Sequence, residues 1–212
     1  SVAGWASAAD VRATGSASAL MRDCKIVFTG TPGAGKTTAI AAISDTPPVV
    51  TDVPNRDPSL AKARTTVGMD YGEVVIADLV RVRLFGTPGQ TRFDFLWPIL
   101  AHKAMGLIIL VDTSRPDPLA DLRIYLDAFA EQLEHTACVI GIGRTEAHPE
   151  PGLQAFGDEL ARRGRVFPVL PVDVRERDDV LMLLDCILAQ LEARNRAGRG
   201  LALMRHAGRH LR

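Results

Sequence analysis

The chain has 212 residues, 47% apolar and 24% charged, enough for one domain with a full core and some tail. Its 25 basic and 25 acidic side chains balance, so overall charge argues for neither a nucleic-acid nor a membrane partner. No apolar run reaches the length of a membrane span, and Cys24, Cys138 and Cys186 stand far apart without metal spacing, which reads as buried free thiols in a reducing cytoplasm.

Residues 1–22 are rich in Ala, Ser and Gly around a lone Trp5 and read as a weakly ordered arm or a short helix packing on the domain edge. A first strand is expected near 24–29 and a first helix near 36–44. Between them runs Gly30-Thr31-Pro32-Gly33-Ala34-Gly35-Lys36-Thr37, the pattern G-x-x-x-x-G-K-S/T of a phosphate-binding loop. Glycines let such a loop curl its N–H groups inward as a nest for phosphate oxygens. The Lys36 ammonium can reach the outer phosphates, the Thr37 hydroxyl can ligate Mg²⁺, and the helix carrying Thr38 adds the positive end of its dipole.

Pro47-Pro48 ends the first helix, and 49–70 reads as a long functional connection. Gly72–Ala77 and Leu79–Phe85 alternate and are β-branched, with a short turn at Asp78, so a hairpin places one antiparallel strand in the sheet. A loop follows at 86–91, then a helix containing Trp97. Ala104–Val111 is almost wholly apolar, as a central parallel strand should be. Asp117-Pro118 opens a helix as N-cap and first position. Strands at 136–142 and 166–171 and helices around Phe156 and Leu184 complete an α/β sheet covered on both faces, with its ligand loops at the carboxyl ends of the strands. After Glu192 arginines accumulate without acids. Residues 194–212 read as a basic tail, either solvated and frayed or a basic helix for an acidic partner or membrane surface.

With the phosphate loop, Thr65-Thr66-Val67-Gly68-Met69-Asp70-Tyr71 and Gly86-Thr87-Pro88-Gly89-Gln90 resemble the Ras-like small GTPases, in particular the bacterial Rab-like, roadblock-associated branch. The resemblance covers about residues 24–192. It implies a P-loop NTPase fold, a mixed six-stranded sheet with one antiparallel strand and helices on both faces, in a domain spanning 23–193. It implies GTP and GDP as substrate and product, Mg²⁺ held by Thr37 and Thr66, and Thr66, Lys36 and Gln90 in hydrolysis. Gly30 to Thr38 and Gly89 would bind the phosphates, and Arg144, Glu146 and the Val174 N–H the base. A roadblock-type or other regulatory protein would dock on 86–97, where Phe93 and Trp97 are the expected exposed aromatics and Phe95 or Leu96 the core ones. Two departures stand out. Gly86 occupies the place of the family's metal-supporting aspartate, for which Asp112 is the sequence's candidate substitute. Gly143-Arg144-Thr145-Glu146 replaces the family's Asn-Lys-x-Asp. A P-loop kinase and a nucleotide-loaded scaffold with little catalysis therefore remain open alternatives.

Overall fold

The structure, a computed structural model, describes residues 22–47, 49–51, 69–76 and 80–207. The element order is β1 (Arg22–Gly30), α1 (Lys36–Ile43), β2 (Val49–Thr51), β3 (Met69–Ile76), β4 (Val80–Gly86), a 3₁₀ turn (Thr91–Leu96), α2 (Trp97–Ala101), β5 (Gly106–Asp112), α3 (Pro118–Ala128), a 3₁₀ turn (Gln132–Glu134), β6 (Ala137–Gly143), α4 (Leu153–Arg162), β7 (Val169–Val172) and α5 (Arg177–Ala207). The strands form one sheet in the order β2-β3-β4-β1-β5-β6-β7. The expected six-stranded mixed sheet is present, with three-residue β2 added as a seventh strand at its edge.

Only β3 runs against the rest of the sheet, pairing antiparallel with β2 and β4, while β4, β1, β5, β6 and β7 run parallel. The parallel strands thus end at one edge of the sheet, and β3 begins there. Alternation along the strands sends Ile26, Phe28, Leu84, Ile108 and Val139 to a face covered by α1 and α5. Val27, Leu107, Ile109, Cys138 and Ile140 pack on the other face under α2, α3 and α4. β5 is buried along its whole length, which accounts for its unbroken apolar run.

Residues 194–207 continue α5, so of the two readings of the basic segment the helical one is present as far as Ala207. One expectation is corrected here. Trp97, assigned to the partner surface, is core at 1% exposure, whereas Phe95 is 62% exposed. The 3₁₀ segment before Trp97 kinks at Phe93 (φ −108°), and across it Phe93 and Leu96 stay half-buried while Phe95 is turned outward. The indole then enters the core because its N–H finds an acceptor there, the Pro88 carbonyl at 2.7 Å. The N-terminal arm with Trp5, the Asp78 turn and Thr66 lie outside the described residues.

Candidate functional site

The loops after β1, β4, β5, β6 and β7 converge at the edge where the parallel strands end. The phosphate loop leaves β1 at Gly30, and α1 begins at Lys36. Gly33 and Gly35 have φ of 83° and 91°, a region other residues enter at a cost. Gly35 is also fixed by space, since a Cβ there would lie 2.5 Å from Val174 Cγ2 of the loop after β7. Lys36 Nζ is buried and donates to the Gly30 and Thr31 carbonyls at 2.8 and 2.9 Å. Burial pushes this ammonium down to about 8, and the Asp70 carboxylate pulls the other way. The Thr31 hydroxyl is buried with no partner among the described residues.

Asp70 is a site residue to which the sequence motifs give no role. Because β3 is the antiparallel strand, its first residues stand at the edge where β4 ends, and Asp70 pairs directly with Gly86. Both face α1: a Cβ at Gly86 would lie 2.9 Å from Asp70 Oδ2 and 3.2 Å from Ile40 Cδ1. The buried Asp70 carboxylate fills the space beside Gly86 and accepts the Thr37 hydroxyl at 2.6 Å. A carboxylate from the neighbouring strand thus stands where a side chain at position 86 would otherwise lie. A sequence signal existed: Asp70 is the one acid among the inward-facing positions of a β-branched run. Asp112, the substitute considered from sequence, is committed elsewhere. Its Oδ2 lies 3.0 Å from Arg144, and its Oδ1 accepts from the Ser114 N–H and hydroxyl at 2.9 and 2.6 Å.

The loop after β4 lies on the phosphate loop. A Cβ at Gly89 would lie 2.6 Å from Pro32 N and 2.7 Å from Lys36 Nζ, so only glycine fits that approach. Thr87 N–H donates to the Phe28 carbonyl at 2.9 Å, and the Thr87 and Thr29 hydroxyls are 2.8 Å apart. Gln90 is exposed at the start of the 3₁₀ turn.

Beyond the phosphate loop opens a cleft of about 670 Å³ lined by Gly33, Ala34, Gly35, Thr38, Arg144, Glu146 and Val174, among others. Arg144, at φ 64°, straps it. Its guanidinium pairs with Asp112, donates to the Ser114 hydroxyl at 3.0 Å, and makes a long 3.5 Å contact to the Gly33 carbonyl. Glu146 stands exposed at the rim, facing the Asp173–Arg175 pair whose guanidinium holds the Asp173 carboxyl down at about 2. Thus the predicted Gly30 to Thr38, Gly89, Arg144, Glu146 and Val174 converge, with Gln90 at the outer margin. The arrangement offers an anion site backed by a buried lysine, a carboxylate–hydroxyl pair suited to a hard divalent cation, and an adjoining open cleft.

No family model matches the chain. Intraflagellar transport protein 22 of Chlamydomonas reinhardtii is 25% identical over 107 residues, 50% of this chain and 53% of that protein. An uncharacterized protein of Methanocaldococcus jannaschii, MJ1339, is 27% identical over 93 residues, 44% of this chain and 53% of its own. The chain thus matches about half the length of these curated relatives. Among solved structures, the Arl6 BBS3 small GTPase of Trypanosoma brucei superposes with a TM-score of 0.62 at 15% identity, covering 81% of this chain and 98% of that one. The bacterial selenocysteine-specific elongation factor EF-Sec gives 0.57 at 19% identity, covering 82% of this chain and 29% of that one. The fold is that of the P-loop GTPases.

Proposed function

We propose that the chain is a small GTP-binding protein that hydrolyses GTP with water to GDP and phosphate, slowly when alone. The observation that carries this is the Thr37–Asp70 pair at 2.6 Å, which restores a metal-supporting carboxylate where Gly86 had removed one. The fold likeness adds support, the Arl6 neighbour having been solved with the nucleotide analogue GppNp.

A buried acid beside a hydroxyl at the phosphate loop fits Mg²⁺, with Thr37 as ligand and Asp70 supporting it; when bound, the cation would neutralise phosphate charge. Thr66 is proposed as a second ligand and lies outside the described residues. Lys36 holds the outer phosphates, and the Gly89 N–H contacts the terminal one. Gln90 orients the attacking water, with Lys36 countering charge that spreads on the transferred group. Glu146 accepts the guanine N–H groups, and the Arg144 stem covers the base.

A regulatory partner, of the roadblock type on the sequence resemblance, docks through Phe93, Phe95 and Ile99 and supplies what speeds hydrolysis; the last two are 62% and 65% exposed. The free, buried Cys24 and Cys138 fit a cytoplasmic setting. The scaffold alternative is favoured by one feature: Pro32 lacks an N–H and subtracts a donor from the phosphate nest. Identifying the nucleotide that copurifies, and measuring GTP and ATP affinity and turnover side by side, tests the proposal. Equal affinities would reject the base assignment, and GTP binding without turnover would favour the scaffold.

A further inference from the structure

Two aromatic side chains reach from the core to the loop after β4. Trp97 Nε1 donates to the Pro88 carbonyl at 2.7 Å, and the Tyr125 hydroxyl donates to the Gly89 carbonyl at 3.1 Å. The donors brace each other: the Trp97 ring lies 4.8 Å from Tyr125 and stacks at 6.1 Å on Phe129. All three rings are buried. With Thr87 tied to Phe28 and Thr29, three successive residues of the loop are pinned, and exposed residues begin at Gln90.

The consequence follows from peptide geometry. In a planar trans peptide the C=O and N–H point in opposite directions. The Pro88 carbonyl and the Gly89 N–H belong to one peptide. Drawing that carbonyl toward Trp97 in the core turns the Gly89 N–H away from the core. Away from the core lies the phosphate loop, since Gly89 sits against Pro32 and Lys36 Nζ. The Tyr125 bond fixes the next peptide plane, so Gly89, which has no side chain to limit its rotation, is held from both sides.

We propose that Trp97 and Tyr125 are positioning residues that hold the Gly89 N–H preformed toward the terminal phosphate of a bound nucleoside triphosphate. The loop then recognises the third phosphate without having to find its conformation on binding. The proposal rests on the nucleotide assignment above, and its test separates the two.

The full chain is compared with Tyr125→Phe and Trp97→Phe, which keep aromatic packing and remove one donor each. Phe129→Leu is the packing control, loosening the same stack without touching either carbonyl. Calorimetry measures GDP and the non-hydrolysable analogue GppNp, and hydrogen exchange follows residues 86–92 in the nucleotide-free protein. Each donor variant should bind GDP within about twofold of the parent, bind GppNp five- to twentyfold more weakly, and exchange the loop amides at least fivefold faster. Phe129→Leu should keep the parental GppNp-to-GDP ratio. A parental ratio in both donor variants, or the same loss of ratio in Phe129→Leu, would overturn the positioning role. If the parent binds neither guanine nucleotide, the nucleotide assignment falls. Inorganic tripolyphosphate against pyrophosphate then replaces the pair, with the same expected ratios and the same overturning result.

Discussion

Asp70 on β3 and Gly86 on β4 are direct partners across the strand pair, and the carboxylate of one occupies the space a side chain on the other would need. The site thus has one carboxylate slot with two possible suppliers. Asp70→Asn keeps volume and removes charge, and Mg²⁺-dependent GDP affinity should fall about 10–100-fold, the range typical for supporting partners of a metal ligand. Thermal stability should change little, because the Thr37 hydroxyl still finds an acceptor. Gly86→Asp alone should be poorly tolerated, with a Cβ 2.9 Å from Asp70 Oδ2. Combined with Asp70→Gly it should recover most of the lost metal dependence. The check is GDP affinity titrated with Mg²⁺ against chelator. If Asp70→Asn needs no more Mg²⁺ than the parent, the carboxylate has another role.

Lys36 should make nucleotide binding pH-dependent. Burial holds its free-protein pKa near 8, against 10.5 for an ordinary lysine. Bound phosphates favour the charged form and raise the pKa again. Below about pH 8 both forms are protonated and affinity should be flat. Above it the free protein has lost the proton that the bound form carries, so binding takes up a proton. Affinity should then fall with rising pH, approaching tenfold per pH unit. Calorimetry in buffers of different ionisation enthalpy at pH 9 should register this uptake, and Lys36→Ala should abolish it while weakening binding at least tenfold. An affinity that stays flat to pH 10 would contradict the burial-lowered lysine.

The glycine loop, the apolar run of β5 and the Asp117 cap were legible because each is a local pattern; the Asp117 side chain does accept the Ala120 N–H. Asp70 left only the weak signal of an acid at an inward-facing strand position, because its role depends on the register between two strands and on one strand running against the others. The burial of Trp97 was not legible because a 3₁₀ segment and then an α-helix occupy this stretch, so no single period fixes which way each aromatic faces. The arginine-rich composition after Glu192 did not decide between a frayed tail and a basic helix, although Ala, Leu, Arg and Met are strong helix formers. β2 is too short to leave a periodic signal.

Base choice should depend on Arg144 and Glu146 in different ways. Glu146 at the rim should set discrimination, with GTP preferred to ATP by roughly five- to 150-fold, since a hydrogen-bonded base edge contributes about 1–3 kcal/mol. Glu146→Ala should narrow that gap. Arg144 ties Asp112 and Ser114 across the mouth of the cleft, so Arg144→Ala should speed release of both nucleotides and leave their ratio nearly unchanged. Stopped-flow release of fluorescent GDP and ADP derivatives distinguishes the two outcomes. A changed ratio in Arg144→Ala would give the arginine a direct part in base selection.

The aromatic segment after Gln90 divides by burial. Trp97→Ala should cost about 3–5 kcal/mol of stability, as truncation of a buried large side chain does. Phe95→Ser and Ile99→Ser, both at exposed positions, should stay within about 0.5 kcal/mol of the parent. If the exposed pair forms a partner surface, these two variants should lose the partner-stimulated part of hydrolysis and keep the intrinsic part. Denaturant melts and GTPase assays with a candidate regulatory protein provide the comparison. Stimulation that survives in both variants would move the partner to another face.

Hydrolysis itself should be slow and should depend on Gln90. A positioned water attacks a phosphoryl group whose charge spreads over its oxygens, and that charge calls for cations close by. Lys36 is one, buried at the phosphate loop. No arginine finger is evident in the loop itself: Arg92 follows Gln90 by two positions, but its guanidinium stacks 4.7 Å over the Phe93 ring. The intrinsic rate should therefore lie well below the roughly 1–100 s⁻¹ typical of kinases. Gln90 is exposed at the end of a pinned loop, so its amide is free to meet a water, and a partner seated on Phe95 and Ile99 would order it. Gln90→Leu keeps volume and removes the water's hydrogen-bond partner. It should leave GTP affinity within about twofold and cut single-turnover phosphate release by at least tenfold. Because Gln90 lies beyond the pinned residues, loop exchange at 86–89 should not change in this variant. That pattern separates loss of water positioning from loss of the loop's shape. Phosphate release at the parental rate would mean that a group other than Gln90 positions the water.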